Sequence, residues 1–432
     1  MNKCTTGAGM LTSRKGFTLV EMIVVMAVFV IVIMITGDAF KTILTQVLKV
    51  TKSEESNIEG VVGLEMLRHD LQQAGYGLPY SFLAPISYRE AGYSPAKDYN
   101  DGTGSTTSAV PRAVVAGDNL AAVTDSDGTT SYNILSGTDY LVLKGATLGL
   151  NDAAQKWTYM PFSSAMTGKQ KPRIWQAANL AANDRVIVIK RTFKEDNIDL
   201  QLMFNTAQPS IYWANFDATG FADANFSPTL PEELYFIYGI RNASSGTELG
   251  MPFNRADYFI AKPATATKIP PFCAENTGIL YKGVVNHTTA SPGGRMSYVP
   301  LLDCVADMQV IFGWDLDDGQ GNEGQDGLVD TYSTPLGSGG AITVSPSAHQ
   351  TRVTTAMADP AKLRTGLKLI KVYLLAQNGR RDAGYQSPAS FTVGDASIDA
   401  ISKTYTLTAE MQKYRWKVYR VIVRPKNLVS NQ

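Results

Sequence analysis

The first long pattern in the chain is apolar without a break. From Phe17 to Thr36, twenty residues carry a single charge, Glu21. A run of about 20 such residues crosses the hydrocarbon of a bilayer as a helix. Met1 to Gly16 contains Lys3, Arg14 and Lys15 and no acid. That bias holds the N-terminal end in the cytoplasm and predicts export of the chain beyond the helix. No small-residue cut site of the secretory kind comes after Thr36; Gly37 and Asp38 end the run. Helical spacing then continues through Ile43, Leu44, Val47 and Leu48, then Ile58, Val61 and Val62, then Leu64, Leu67, Leu71 and Ala74. Lys52 to Ser56 reads as a solvated turn of the same helix. Gly60 and Gly63 weaken it and mark a candidate kink, and Gly75, Gly77 and Pro79 stop it.

From Ser81 the period changes. Short β-branched and aromatic runs alternate with turn clusters, which predicts strands over 139–143, 184–193, 234–240, 257–261, 279–285, 308–314, 367–376 and 414–423. In the last of these Tyr414, Trp416 and Val418 alternate with Arg415 and Lys417, the pattern of a strand with one buried face. Residues 99–108 read as a loop, as do 333–360 except for Ala341 to Val344. The fold class is therefore α+β: a long N-terminal transmembrane and amphipathic helix, then a large β-rich, mainly antiparallel globular region. Whether that region forms one domain or two subdomains stays open at this level.

Charge and composition mostly exclude. Lys plus Arg and Asp plus Glu number 39 each, whereas proteins that grip nucleic-acid backbone carry a basic surplus; no nucleic acid is expected as a partner. Three His and three Cys leave little material for His-based catalysis or a Cys-rich zinc array. There is no G-x-S-x-G, H-E-x-x-H or C-x-x-C, and Gly168-Lys169 lacks the rest of a Walker loop. Gly319-x-Gly321-x-x-Gly324 has the letters of a dinucleotide fingerprint, but the neighbouring carboxylates would repel pyrophosphate and no helical pattern follows. The chain is expected not to be an enzyme. Its 20 Tyr and 5 Trp either line a glycan- or surface-binding face or, more plainly, form core and cross-strand pairs.

Glu21 stands out. A carboxylate at the centre of a bilayer costs about 2.5–3.5 kcal/mol, less near one end, and is a functional hypothesis with a partner to be named. A free amine on a neighbouring subunit is one partner; an interfacial Glu is the plain alternative. Arg14-Lys15-Gly16-Phe17-Thr18-Leu19-Val20-Glu21 resembles the processing site of type IV prepilins and type II secretion pseudopilins. That resemblance implies cleavage after Gly16 by a prepilin peptidase, methylation of Phe17, and pairing of Glu21 with the Phe17 amine of an adjacent subunit. The Met66–Tyr76 segment, with its D-L-x-x-A-G-Y run, resembles the helix end of the PilW family of minor pilins. Val305 to Asp315 resembles that family's strand into an Asp/Gly loop, and Leu367 to Asn378 and Tyr414 to Asn427 are similar to its late strands. Pro79 to Pro300 aligns with nothing comparable.

The resemblance implies a leader at 1–16, a membrane half-helix at 17–38, its amphipathic continuation at 39–76 and an exported pilin-like region at 77–432. It implies a type IV pilus minor pilin that helps to prime assembly and sits at the tip. The implied partners are prepilin peptidase, other minor pilins, the major pilin, the inner-membrane assembly platform and the lipid bilayer. The implied location is the inner membrane, single-pass, with a periplasmic domain, and then the fibre at the cell surface. A minor pseudopilin of a type II secretion system and a membrane-tethered adhesin are the alternatives.

Cleavage would remove Cys4 and leave Cys273 and Cys304 in an oxidising compartment, where an even pair invites a disulfide; two separately buried thiols are the other reading. Asp315, Asp317, Asp318, Asp326 and Asp330 crowd one Gly-rich stretch. Ca²⁺ takes six to eight oxygens from flexible loops, so these carboxylates are candidate ligands, with a solvated acidic hairpin as the alternative. Gly319 falls one residue too early for an EF-hand and no closing Glu is in place.

Overall fold

The computed structural model describes residues 18–428 except 103, 105, 127–130, 167–168, 177–178, 195–196, 244–247, 264–268, 396 and 399–400. Gly16 and Phe17 fall outside the described residues, as do the side chains at 42 and 44–59, which include the stripe positions Leu44, Val47, Leu48 and Ile58. Two units are distinguished, 1–54 and 55–432. Both contain part of the helix Leu19–Gln73.

In the first unit the helix begins with a cap. Thr18 Oγ1 accepts from the Glu21 amide at 3.3 Å, and the Thr18 carbonyl accepts from the Met22 amide at 3.2 Å. Thr18 and Glu21 thus stand in the S/T-x-x-E order of a capping box. Leu19–Lys41 is long and apolar enough to span a membrane and has no buried residue.

In the second unit the end of the helix packs on a sheet. Gly60, Gly63, Leu64, Leu67, Leu71 and Ala74 are buried, whereas Val61 and Val62 are exposed. The buried stripe therefore differs from the predicted one, and the glycines explain why. A Cβ on Gly63 would lie 2.1 Å from the Leu301 carbonyl oxygen, and one on Gly60 would lie 2.8 Å from Leu302 Cδ1. The helix stays continuous through both. They are sites of close approach to the strand beneath rather than the expected kink. Gly75 then ends the helix at φ +83°, and its amide bonds the Lys144 carbonyl at 2.9 Å.

The strand under the helix, Met296–Trp314, is the longest among the described residues at 19 residues. It is the backbone of an eleven-stranded sheet. Its first half pairs antiparallel with Gly278–Val285, and its second half with Leu367–Asn378, which carries Arg415–Val423 on its far side. The register shifts between Val305 and Asp307, beside Cys304 at φ +55°, so a bulge lets one strand serve two neighbours. Gly278–Val285 continues to Asn254–Pro263, which pairs at one end with Tyr140–Gly145 and at the other with Ser131–Ile134. A second, six-stranded sheet holds Trp157–Pro161, Arg185–Lys194, Asn197–Leu202 and Leu234–Arg241.

All eight predicted strands are present, within a few residues at most ends; the exception is 308–314, which extends back to Met296. Arg415–Val423 is more than a one-face strand. Trp416 and Val418 pack in a core that includes Tyr373 and Leu375, while Val421 and Val423 turn their opposite face to the main core. The predicted loop at 333–360 is wrong in its last third, because helices occupy Gln350–Ala358 and Pro360–Gly366. The second carried a legible signal: Asp359 caps it through the amides of Ala361 and Lys362 at 2.7 and 3.0 Å, with Pro360 in the first position. The first has four β-branched residues in nine and is held by burial of Val353, Ala356 and Met357.

Candidate functional sites: the exposed helix, its anchor and the acidic loop

Apart from Glu21, Thr36 and Gly37, Leu19 to Gly37 offers the bilayer or a neighbouring helix only apolar side chains, and Glu21 is its one ionisable group. All of these residues are exposed. Such a surface in water is an association or membrane surface. Glu21 sits in the first turn of the helix, where the amide dipoles favour a negative charge.

The motif D-L-x-x-A-G-Y turns out to be an anchor. Asp70 is 3% exposed on the helix, and it accepts from Lys282 Nζ at 2.5 Å and from the Tyr258 hydroxyl. Tyr258 and Lys282 are direct cross-strand partners, so one rung of the sheet presents both donors to one carboxylate. Burial, reinforced by the Asp70 charge, pushes the Tyr258 hydroxyl far above its usual range, and it remains a donor. His69 Nδ1 lies 3.3 Å from Asp70 Oδ1; that bond raises the His69 pKa, against the opposing effect of partial burial. Leu71 and Ala74 are fully buried beside Asp70, Gly75 supplies the turn, and the Tyr76 ring meets Tyr238 edge-on at 5.2 Å. The partners Tyr258 and Lys282 escaped the sequence reading. The only signal for them was an acid on the apolar side of a helix.

A larger buried charge network also went unforeseen. Lys144 Nζ bonds Glu90 at 2.6 Å and Asp101 at 2.5 Å, and all three side chains are essentially unexposed. Arg255 bonds Glu90 at 3.0 Å and Asp257 at 2.8 Å. Burial acts to lower the Arg255 pKa, but the facing Asp257 and Glu90 charges prevail and raise it. With Arg112 on Asp101 at 2.8 Å, three cations meet three carboxylates. The network fastens residues 90–112 onto the sheet and leaves no charge over for a substrate.

Cys273 and Cys304 are joined by a disulfide, with Cα atoms 5.0 Å apart. The acidic stretch divides. Ligand oxygens of Asp315, Asp326 and Asp330 come within 4.8 Å of one another, while Asp317 and Asp318 do not join them. Asp317 pairs with Arg352 at 3.2 Å and accepts from the amides of Gly319 and Gly321. Asp318 accepts from the Asn322 side-chain amide and from the backbone amides of Gln320 and Asn322. These bonds hold both carboxyls below their usual range. Asp315 already takes the amides of Asp326 and Gly327 and faces Lys368 at 3.5 Å, and Asp330 takes those of Leu316 and Asp317. The arrangement closes a loop through its own backbone. Three oxygens are available to a cation, fewer than the six to eight that Ca²⁺ takes, so waters would have to supply the rest.

Two segments of the chain match known families. Residues 257–427 match type IV pilus-assembly protein W, the PilW family. Residues 11–37 match the prokaryotic N-terminal methylation motif. The first match begins in the strand that supplies Tyr258, so residues 257–300, expected to align with nothing, do belong to it; it includes Lys282, both cysteines, the acidic loop and the two late strands. The second includes Gly16, Phe17 and Glu21. No curated protein and no solved structure matches the chain. Together these findings support a type IV pilus-related pilin with a prepilin-type signal, anchored by its N-terminal helix and carrying an exported domain.

Proposed function

We propose that this protein is a minor pilin of a type IV pilus that helps to prime fibre assembly and sits at the tip. The carrying observation is a wholly exposed apolar helix with a single carboxylate, Glu21, inside a match to the methylation motif. Prepilin peptidase cuts after Gly16 and methylates the Phe17 amine. The helix resides first in the inner membrane and then among neighbouring pilin helices in the fibre. Glu21, costly in hydrocarbon on its own, is neutralised by the Phe17 amine of an adjacent subunit. That ion pair gains strength as water is excluded, and it sets how far one subunit advances along the axis. No catalytic step is assigned to the protein; its work is association. In the second unit the exposed Val61 and Val62 are further apolar side chains open to other pilins.

Mass spectrometry of fibres sheared from the cell surface tests this. A peptide beginning at N-methylated Phe17 is expected in the fibres. If all chains in the cell still begin upstream of Gly16, the proposal fails. If processed chains occur only in membranes and deletion abolishes protein secretion but not piliation, a secretion pseudopilin replaces it. Glu21→Ala is expected to insert normally in the membrane yet drop out of fibres; unchanged incorporation would remove Glu21 from the mechanism.

A further inference from the structure

An open cavity of about 330 Å³ lies outside all the sites described above. This is within the roughly 300–1,000 Å³ of small-ligand sites. Its wall is firm: the buried Tyr88 hydroxyl bonds the Ala109 carbonyl and the buried Tyr212 hydroxyl bonds the Leu249 carbonyl, each at 2.8 Å. The Arg89 amide bonds the Gly250 carbonyl at 2.6 Å. Burial raises the pKa of both tyrosines, so they stay neutral. Around this wall stand Arg89, Gln208, Ser210, Trp213, Glu248 and Thr289. Trp213 is half-buried and braced by Arg185, whose guanidinium lies 5.1 Å from the ring. Arg185 is itself held by Asn215 at 2.5 Å.

Among the described residues, no hydrogen bond or ion pair within the protein engages the side chains of Arg89, Gln208, Ser210 or Glu248. Polar side chains without a partner inside the protein are thus gathered around one cavity. The chemistry of the set narrows the ligand. One guanidinium and one carboxylate cancel, which favours neither an anion nor a cation. Hydroxyls and a primary amide offer donors and acceptors in alternation, which an apolar ligand would leave unsatisfied at a cost. A concave site of this size excludes a flat protein face. One aromatic ring among planar polar groups matches a molecule with an apolar CH face and an equatorial belt of hydroxyls.

We propose that this cavity is a carbohydrate-binding site for a neutral, monosaccharide-sized end of a surface glycan. The sugar's CH face lies on Trp213, and its hydroxyls bond Gln208, Glu248 and Arg89. Apart from Thr289, every lining residue precedes the PilW-matched segment, so the site belongs to the part of the chain that resembles nothing alignable. It adds recognition to an assembly subunit and does not rest on the fibre reading.

Saturation-transfer NMR on the full chain tests it, in a zwitterionic detergent without a sugar head group. The probes are methyl glycosides of glucose, galactose, mannose and N-acetylglucosamine, with galacturonate and inorganic phosphate as charged controls. At least one neutral glycoside is expected to bind saturably. Gln208→Ala, an exposed position that leaves the wall intact, is expected to weaken that binding about tenfold, the equivalent of one good hydrogen bond. Trp213→Ala is expected to weaken it at least as much, and Trp213→Phe, which keeps a ring, to retain most of it. Binding by none of the neutral glycosides, binding only by the charged controls, or binding indifferent to Gln208→Ala and Trp213→Ala would each overturn the proposal. Any of these leaves the fibre reading standing, because that depends on Phe17 and Glu21.

Discussion

Removing Asp70 should unfasten the helix end from the sheet, and the structure sets the scale. Asp70→Ala leaves the Lys282 ammonium, 4% exposed, without its carboxylate at 2.5 Å. The Tyr258 hydroxyl, fully buried, loses its acceptor in the same change. Breaking a buried pair by deleting one partner costs about 3–5 kcal/mol, chiefly because an uncompensated charge stays inside. An orphaned hydroxyl adds a further cost of about 1–3 kcal/mol, not fully additive because both donors serve one carboxylate. A loss of about 4 kcal/mol is therefore expected, a large fraction of the stability of an ordinary domain. Urea unfolding of the full chain, followed by tryptophan fluorescence, reads it as a lowered midpoint at unchanged slope. The double variant Asp70→Leu with Lys282→Met removes both charges and is expected to regain most of the loss, since apolar replacement of a buried pair is often neutral or better. If Asp70→Ala costs under about 1 kcal/mol, or the double variant is as unstable as the single, the D-L-x-x-A-G-Y run is not an electrostatic anchor.

Further expectations come from the same contacts. Gly63→Ala sets a Cβ 2.1 Å from the Leu301 carbonyl oxygen; the backbone must shift, and a loss of about 1–3 kcal/mol is expected in the same unfolding assay, whereas the exposed Val62→Ala should be near neutral. Cys273→Ser together with Cys304→Ser frees a separation of 31 residues and should cost roughly 3–4 kcal/mol in the chain-entropy model, with unfolding of the parent becoming sensitive to reductant. His69 gains a bond to Asp70 that raises its pKa, so its contribution is fully present below about pH 6.5, its unfolded value, and is lost as pH rises through the higher folded value. His69→Gln should flatten that part of the stability–pH profile; a profile unchanged by the substitution would remove His69 from the anchor.

The local half of this protein was written in its sequence. Twenty apolar residues with one carboxylate behind a basic leader specify a membrane-competent helix by length and hydrophobicity alone. Strand positions followed from short β-branched and aromatic runs between turn clusters, and eight were found in place. The helix Gln350–Ala358 was missed because four of its nine residues are β-branched, three of them Thr, and burial of Val353, Ala356 and Met357 selects it. Gly60 and Gly63 were read by propensity as weak points, yet contact with Leu301 and Leu302 makes them the fitting surface.

Only the tertiary structure decided which distant residues meet. Asp70 was visible as a motif letter, but its partners lie 188 and 212 positions away and become one site because Tyr258 and Lys282 share a rung. The five acidic candidates looked equivalent in the sequence; backbone amides and Arg352 claimed Asp317 and Asp318, while three others converged. The cavity around Trp213 gathers residues from 87 to 289 with no shared pattern. Periodicity records which face of an element is buried. It carries no record of the element that buries it, and the polar chemistry of this protein sits at those meetings.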